Sequence, residues 1–298
     1  MQDPEGYLST PDGIRLFYQV IGSGPARVVF PNGLYLCDDF RRLAEGRTLI
    51  FYDVRNRGRS DALGSPETRT GGILNDVEDL DVVRRHFGAD KIDLIGHSYI
   101  GLMVILYALR HGAHANRVVQ LSPIEPHPGK QYPPRLKWSD DVMEETFAKL
   151  VQLQKERGSE DAEKLCEKFW AILRAIYVFD QAHAAKINWG RCALANERGF
   201  MKYWAEELFP SIQGLRLAPE QLATVRCPVL TIHGVKDRSA AYGGARDWAR
   251  ELPNARLMSL ENVAHAPWVE AADPVFDAIG TFLQGAWPAS AEAVLRES

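Results

Sequence analysis

Short apolar runs of strand length alternate with segments of helical periodicity along most of this chain. The runs at 27–30, 48–52 and 92–96 are too short for helices and are bounded by turn residues. Helical spacing of apolar residues follows in 73–87 and 99–110. Parallel strands joined through helices bury such runs on both faces of a sheet. The sequence therefore predicts an α/β fold with a mostly parallel sheet flanked by helices.

The same pattern predicts eight strands. The first two flank the turn signal Pro11-Asp12-Gly13 and form a hairpin. The predicted strands are 7–10, 14–20, 27–30, 48–52, 92–96, 117–121, 229–234 and 255–260. Two further helices are predicted at 246–252 and 274–284.

The alternation is interrupted once, after the sixth strand. Five prolines crowd residues 123–134, and the stretch from 139 to 224 has a helical pattern rich in aromatic residues. An insertion there lies at the carboxyl edge of the sheet, where open α/β sheets bind ligands. We expect two domains, a core of 1–124 and 225–298 and a helical cap of 125–224.

Charge and hydropathy exclude several classes of protein. The 298 residues include 35 Lys and Arg against 39 Asp and Glu, a net charge of −4, so there is no basic excess to attract nucleic acid or an anionic membrane surface. No apolar run approaches the ~18 residues of a membrane span. Residues 1–6 lack the basic and apolar regions of a signal peptide. We expect a small-molecule substrate as the partner, and a monomer or homodimer.

The four cysteines are far apart in the sequence, and no two of them have the spacing typical of a metal site or of a redox-active pair. They are Cys37, Cys166, Cys192 and Cys227. In a chain of this size the spacing favours free thiols and a reducing cytoplasm, although two disulfides remain possible. We therefore expect a cytoplasmic protein.

The motif that points to chemistry is Gly96-His97-Ser98-Tyr99-Ile100-Gly101, between a predicted strand and a predicted helix. A serine in such a sharp turn holds its hydroxyl above the sheet edge, beside a helix N-terminus. The hydroxyl is a weak nucleophile alone and needs a base that is oriented by a carboxylate. Asp237 and His265 follow the last two strands, which gives the order Ser, Asp, His.

On these residues the chain resembles the α/β-hydrolase superfamily, especially its capped branch of esterases, lipolytic enzymes and proline iminopeptidase-like enzymes. The resemblance covers roughly 7–122 and 225–285. It implies the α/β-hydrolase fold, with a mostly parallel eight-stranded sheet and a helical cap inserted after strand 6. It also implies that Ser98 is the nucleophile, His265 the general base and acid, and Asp237 the orienting carboxylate. Glu125 is the alternative acid, since some members carry the acid after the sixth strand.

The resemblance further implies an oxyanion hole of two backbone N–H groups. Tyr99 follows the nucleophile and supplies the first group. The second group is usually supplied by the residue that follows a His-Gly pair in this family. Asn32-Gly33-Leu34 stands at that place in this chain, so Leu34 N–H is expected to be the second donor. Asn32, Tyr35 and Trp268 are expected to line an apolar substrate pocket.

Two further positions depart from the family pattern. Residues 53–60 resemble the motif D-x-R-G-x-G-x-S, with Asn56 in place of its first glycine. Asparagine tolerates left-handed backbone better than most residues, so we expect the turn to survive. Ile100 occupies a position that is normally small, and Gly101 is expected to relieve the crowding one residue later.

The other histidines are expected to be structural. His97 and His233 flank buried strands, where structural hydrogen bonds are the simpler interpretation. His111 and His114 have a ligand-like spacing but no acidic or cysteine partner nearby, so no metal site is expected. No organic cofactor is required either.

The predicted function is a serine hydrolase that cleaves a small or medium carboxylic ester through an acyl-enzyme. One alternative is a proline iminopeptidase-like aminopeptidase, in which Glu197, Glu206 or Glu207 of the cap would hold the substrate's free amine. That family's usual His-Gly-Gly-Pro-Gly segment is absent here. The other alternative is a non-catalytic protein of the same fold that binds an apolar ligand under the cap.

Overall fold

An eight-stranded sheet forms the centre of the computed structural model, which describes residues 3–62, 71–155, 161–187, 189 and 191–295. The strands are β1 Glu5–Ser9, β2 Arg15–Ile21, β3 Ala26–Pro31, β4 Arg47–Tyr52, β5 Ile92–His97, β6 Ala115–Leu121, β7 Val229–Gly234 and β8 Ala255–Leu260. Their order in the sheet is β1-β2-β4-β3-β5-β6-β7-β8. β2 pairs antiparallel with β1 and β4, and every other pairing is parallel. The predicted fold class is confirmed.

Helices cover both faces of the sheet, and the apolar side chains of each strand are divided between them. Val29 of β3 belongs to the apolar cluster on one face of the sheet, whereas Val28 and Phe30 belong to the cluster on the opposite face. This division follows from the alternation of side chains along a strand. The helices that flank the sheet are α1 Gly33–Phe40, α2 Ile73–His86, α3 Tyr99–Arg110, α9 Tyr242–Glu251, α10 Pro267–Glu270 and α11 Ala272–Leu283.

The chain between β6 and β7 forms helices, turns and loops wherever the structure describes it. Its helices are α4 Asp141–Lys155, α5 Ala162–Tyr177, α6 Ala195–Tyr203, α7 Phe209–Gln213 and α8 Pro219–Leu222. A π-helical turn at Trp204–Leu208 joins α6 to α7. The helical insertion after the sixth strand is thus observed, while the division into domains at 125 and 224 stays a prediction.

The expectation of free thiols is wrong for two of the four cysteines. Cys166 on α5 forms a disulfide with Cys192, which precedes α6. The two Cα atoms lie 5.8 Å apart, although 26 residues separate them in the chain, because α5 packs beside the segment that leads into α6. Cys37 and Cys227 are free thiols. The cysteines therefore give less support to a reducing compartment than their spacing suggested.

Helix α1 is an element that the sequence analysis does not predict. It begins at Gly33, directly after β3, in a segment that was expected to be a loop carrying an oxyanion donor. Asn32 precedes it with a left-handed backbone, φ 64°. Within the described ranges, no helix is long and apolar enough to cross a membrane.

Candidate active site

Ser98 occupies a sharp turn between β5 and α3. Its backbone has φ 58° and ψ −125°, a conformation that is strained for a residue with a side chain. The turn is held by hydrogen bonds from Ser98 N–H to the Leu121 carbonyl (3.0 Å) and from Gly101 N–H to the Ser98 carbonyl (2.9 Å). A Cβ atom on Gly96 would lie 2.5 Å from the Ile100 carbonyl oxygen, so glycine is required there. The strand and helix thus fix the serine at the sheet's carboxyl edge.

Asp237 and His265 follow β7 and β8 and meet at the same edge. The Nδ1 atom of His265 lies 2.8 Å from Oδ2 of Asp237, and both side chains are fully buried. Because the carboxylate accepts, Nδ1 carries the proton in this hydrogen bond. Nε2 is buried and has no hydrogen-bond partner among the described residues. Ser98 Oγ therefore makes no hydrogen bond to His265 Nε2 in this structure.

The Asp237 carboxylate is held ionised. Burial raises its pKa, but His265 and His233 outweigh that effect and hold the pKa well below its usual range. Oδ1 also accepts hydrogen bonds from the N–H groups of Ser239 (2.7 Å) and Ala240 (2.9 Å). His233 Nε2 lies 3.3 Å from Oδ2 and 3.2 Å from the Ala240 carbonyl, so His233 is structural as expected.

His97 ties the serine turn to the histidine loop. Its Nε2 donates to the His265 carbonyl oxygen at 2.9 Å, and the two rings lie 4.5 Å apart. Burial lowers the pKa of His97 well below its ordinary value, so the ring is neutral. The expectation of a structural hydrogen bond at His97 is confirmed.

A cavity of about 500 Å³ opens above Ser98. Asn32, Ser98 and Ile100 line it from the sheet side. Its aromatic lining residues are Tyr35, Tyr99, Phe147, Phe169, Trp170, Tyr177, Trp189, Phe200, Trp204 and Phe209. Phe147 and Phe209 are also 46% and 42% exposed, which places them where the cavity opens to solvent. Asn32 and Tyr35 thus both line this cavity, while their role in a substrate pocket stays a prediction.

Trp268 does not line this cavity. It is buried behind His97, with the two rings 4.8 Å apart, and its indole N–H donates to Asp39 Oδ2 at 2.9 Å. The expectation that Trp268 is a pocket wall therefore needs correction. The residue follows His265 closely in the chain, but the start of α10 at Pro267 turns it toward the core.

Leu34 N–H also differs from expectation. It donates to Asp53 Oδ1 at 2.9 Å, and Leu34 lines a separate cavity of about 70 Å³ rather than the one above Ser98. The physical reason is helix α1, whose first-turn N–H groups have no partner within the helix and need other acceptors. Burial raises the pKa of Asp53 to about 6. Tyr99 N–H, at the first residue of α3, remains beside Ser98.

Arg57 and Glu197 form a buried ion pair that the sequence analysis misses. Glu197 accepts from Arg57 Nε and Nη2 at 3.0 Å each, from Gly58 N–H at 2.9 Å, and from the Tyr35 hydroxyl. The Arg57 guanidinium also lies over the Phe200 ring, 3.5 Å from its centroid. No sequence pattern joins a residue after β4 to one on α6.

The cap carboxylates proposed to hold a substrate amine are therefore not placed to do so. Glu197 is fully engaged and unexposed. Glu206 is exposed and pairs with Lys202 at 4.0 Å, and neither Glu206 nor Glu207 lines the cavity. Glu125, the alternative acid, lines the cavity wall instead of joining His265. In the described part of the chain no group of three His, Cys, Asp or Glu side chains could hold a metal ion.

A family model described as alpha/beta hydrolase fold matches residues 27–272. The chain belongs to the α/β-hydrolase family. The predicted resemblance is confirmed. This hydrolase is 23% identical to the proline iminopeptidase of Clostridioides difficile (strain 630) over 285 residues, which are 91% of this chain and 94% of that protein.

Two further comparisons agree with that membership. The AB hydrolase superfamily protein YisY of Bacillus subtilis (strain 168) is 24% identical over 93% of this chain and 98% of its own. The fold is similar to that of an esterase from Exiguobacterium antarcticum, with a TM-score of 0.68 at 17% identity, covering 96% of this chain and 100% of that one.

Proposed function

We propose that this hydrolase is a serine esterase in which Ser98 is the nucleophile, His265 the general base and acid, and Asp237 the orienting carboxylate. The observation that supports this most strongly is the buried hydrogen bond between His265 Nδ1 and Asp237 Oδ2. It leaves Nε2 free in a loop that His97 ties to the serine turn. Ser98 itself opens into the aromatic cavity.

The reaction proceeds in two acyl transfers. The Ser98 Oγ attacks the ester carbonyl carbon, its proton passes to His265 Nε2, and the carbonyl electron pair moves onto oxygen. Collapse of the tetrahedral intermediate expels the alcohol, which takes the proton from His265. Water then attacks the acyl-enzyme by the same route and releases the carboxylic acid. Tyr99 N–H supplies one hydrogen bond to the oxyanion.

The cavity favours a neutral, apolar ester of small or medium size. Its volume suits a small molecule, and its wall is mainly aromatic. Arg57 is the cation on that wall, and the Glu197 carboxylate balances its charge. An anionic substrate would therefore leave water without an unpaired cation to bind it. Aromatic and medium-chain acyl groups match this lining best.

An aminopeptidase of the proline iminopeptidase kind is the second candidate. The relative of that name from Clostridioides difficile favours it. Glu125 is the carboxylate that lines the cavity in the described residues, so it is the group that would hold a substrate's free amine. The ester hypothesis needs no such group, because an ester carries no charge to be balanced.

The deciding experiment compares esters with anilides. A fluorophosphonate probe with mass mapping should label Ser98 in the wild type and leave Ser98→Ala unlabelled. We expect efficient turnover of p-nitrophenyl butyrate and benzoate, and little turnover of proline or alanine p-nitroanilide. Anilide cleavage that needs a free amine and is lost in Glu125→Gln would favour the peptidase. Neither labelling nor turnover would favour the non-catalytic ligand-binding protein.

A further inference from the structure

The backbone N–H expected to be the second oxyanion donor is engaged elsewhere in this structure. Tyr99 N–H lies beside Ser98, but Leu34 N–H donates to Asp53 Oδ1 at 2.9 Å. Gly33 and Leu34 line the cavity of about 70 Å³ and not the one above Ser98. Tyr35 N–H is directed to the Asn32 carbonyl oxygen at 3.3 Å. The N–H groups of Leu34 and Tyr35 thus both have acceptors within the protein.

Asn32 directly follows β3, the strand that pairs with β5 on the other side from β6. β3 pairs with β5 through Val28 with Asp93 and Val29 with Leu94. Counting on in that register places Asn32 level with His97, and neighbouring strands lie ~4.8 Å apart. Asn32 and Ser98 line the same cavity. Asn32 therefore lies about one strand spacing from the turn that carries the nucleophile, on the wall of the same cavity.

The Asn32 amide performs no visible structural task. It precedes helix α1, yet its side chain makes no capping hydrogen bond. Its Oδ1 is buried and has no hydrogen-bond partner among the residues described. A buried amide oxygen without a partner is costly, so such an atom in a cavity wall calls for an explanation. A rotation of 180° about the last side-chain bond of Asn32 exchanges the positions of its amide oxygen and nitrogen.

We infer that the side-chain amide of Asn32 supplies the second oxyanion donor, through Nδ2–H. This inference rests on the proposed serine esterase mechanism. In the tetrahedral intermediate formed by Ser98, the oxyanion accepts one hydrogen bond from Tyr99 N–H and one from Asn32 Nδ2–H. Asn32 has a left-handed backbone and lines the cavity, while Leu34 N–H donates to Asp53.

The test uses Asn32→Gly and Asn32→Asp, because both residues tolerate a left-handed backbone and neither offers the donor. Loss of one such donor lowers kcat by roughly 10²–10³-fold in other hydrolases, and we expect that loss here with little change in KM. The inhibition constant of phenylboronic acid, which forms a tetrahedral adduct with serine, should weaken in parallel. Asn56→Gly is the matched control, since Asn56 also has a positive φ, of 62°, and does not line the cavity.

Active-site titration and a melting curve on each sample separate lost chemistry from lost folding. A wild type that the fluorophosphonate labels at Ser98, with an Asn32→Gly variant that keeps kcat within threefold, overturns the inference and leaves the esterase proposal standing. A wild type that neither labels nor turns over esters overturns both. In the crystal structure of the labelled wild type, the phosphonyl oxygen should lie within hydrogen-bond distance of Asn32 Nδ2. A Leu34 N–H found on that oxygen instead would also overturn the inference.

Discussion

Arg57 and Glu197 form a two-point ion pair across 140 residues of sequence, with both N–O distances at 3.0 Å and side-chain exposures of 1% and 0%. Arg57 follows β4 in the core, and Glu197 lies on α6 between the sixth and seventh strands. The pair therefore fastens the inserted helices to the core beside the cavity. Burial raises the pKa of Glu197, but Arg57 and its other donors outweigh this and leave the pKa below its ordinary value.

Glu197→Gln should lower the free energy of unfolding by about 3–5 kcal/mol, because it leaves the Arg57 charge buried without its counter-charge. Urea unfolding at pH 7 measures this. Glu206→Gln is the matched control, since Glu206 is exposed and should change stability by less than about 0.5 kcal/mol. The double variant Arg57→Leu, Glu197→Leu should lose less stability than the two single variants added together. Equal effects at Glu197 and Glu206 would contradict this account of the pair.

Asp237→Asn should lower kcat by about 10⁴-fold with the fold intact, because the imidazole of His265 loses the anion that orients it. Steady-state assays with p-nitrophenyl butyrate test this. Glu125→Gln is the control at the alternative acid, which lines the cavity and does not bond to His265. We expect Glu125→Gln to stay within a few-fold of the wild type. The reverse pattern would move the acid assignment to Glu125.

The rate should fall on acidification as His265 takes a proton and ceases to be a base. Asp237 does not contribute to this fall, since its pKa lies well below the usual range and its carboxylate stays ionised through the assay range. On the acid side, the dependence of kcat/KM on pH for p-nitrophenyl butyrate should therefore fit a single protonation. A profile that stays flat from pH 5 to 8 would remove His265 from the role of base.

Much of the fold could be predicted because each strand carries its own signal. The runs at 229–234 and 255–260 are bounded by turns and became β7 and β8 with those limits. The serine turn could be placed as well, because its geometry follows from a strand that runs directly into a helix. These features depend on local sequence, which a single chain displays.

The features that were missed depend on contacts between distant residues. Leu34 N–H turns to Asp53 because α1 begins early, and no motif shows where a helix starts after β3. In the sequence, Glu197 does not differ from other acidic residues of helical segments, because its contact with Arg57 is formed only in the folded protein. The pairing of Cys166 with Cys192 likewise depends on how two cap segments pack.

That pairing predicts a thiol count. Denatured without reductant, the chain should show two titratable thiols, from Cys37 and Cys227, and four after reduction. Replacing Cys166 and Cys192 together by serine should lower the free energy of unfolding by about 2–4 kcal/mol, because the unfolded chain then has the conformational entropy that the closed loop removes. Replacing Cys227 by serine is the control. Adding reductant should change the melting temperature of this variant by as much as it changes that of the wild type. Four thiols in the unreduced chain would contradict the disulfide.

Ile100 departs from the family pattern, and the structure shows how it is accommodated. Its side chain is buried among the apolar residues of α2 and α3 and also reaches the cavity wall. Glycines instead occupy the positions where the helix and the sheet approach each other closely. A Cβ atom on Gly96 would lie 2.5 Å from the Ile100 carbonyl oxygen, and one on Gly101 would lie 2.8 Å from Pro123 Cβ. Glycines on either side of the turn thus relieve the crowding.

Ile100→Gly should therefore destabilise the protein by about 3–5 kcal/mol, through the cavity it leaves and the backbone freedom it adds to a helix. Ile100→Ala keeps the helix propensity and should lose only the cavity part, so the pair separates the two causes. Activity per folded molecule should persist in both, because Ser98 and Tyr99 N–H are positioned by the preceding turn. Melting curves and titrated active-site counts on the same samples measure these effects. A variant Ile100→Gly more stable than the wild type would mean that the isoleucine is held under strain for function, and the packing account would fail.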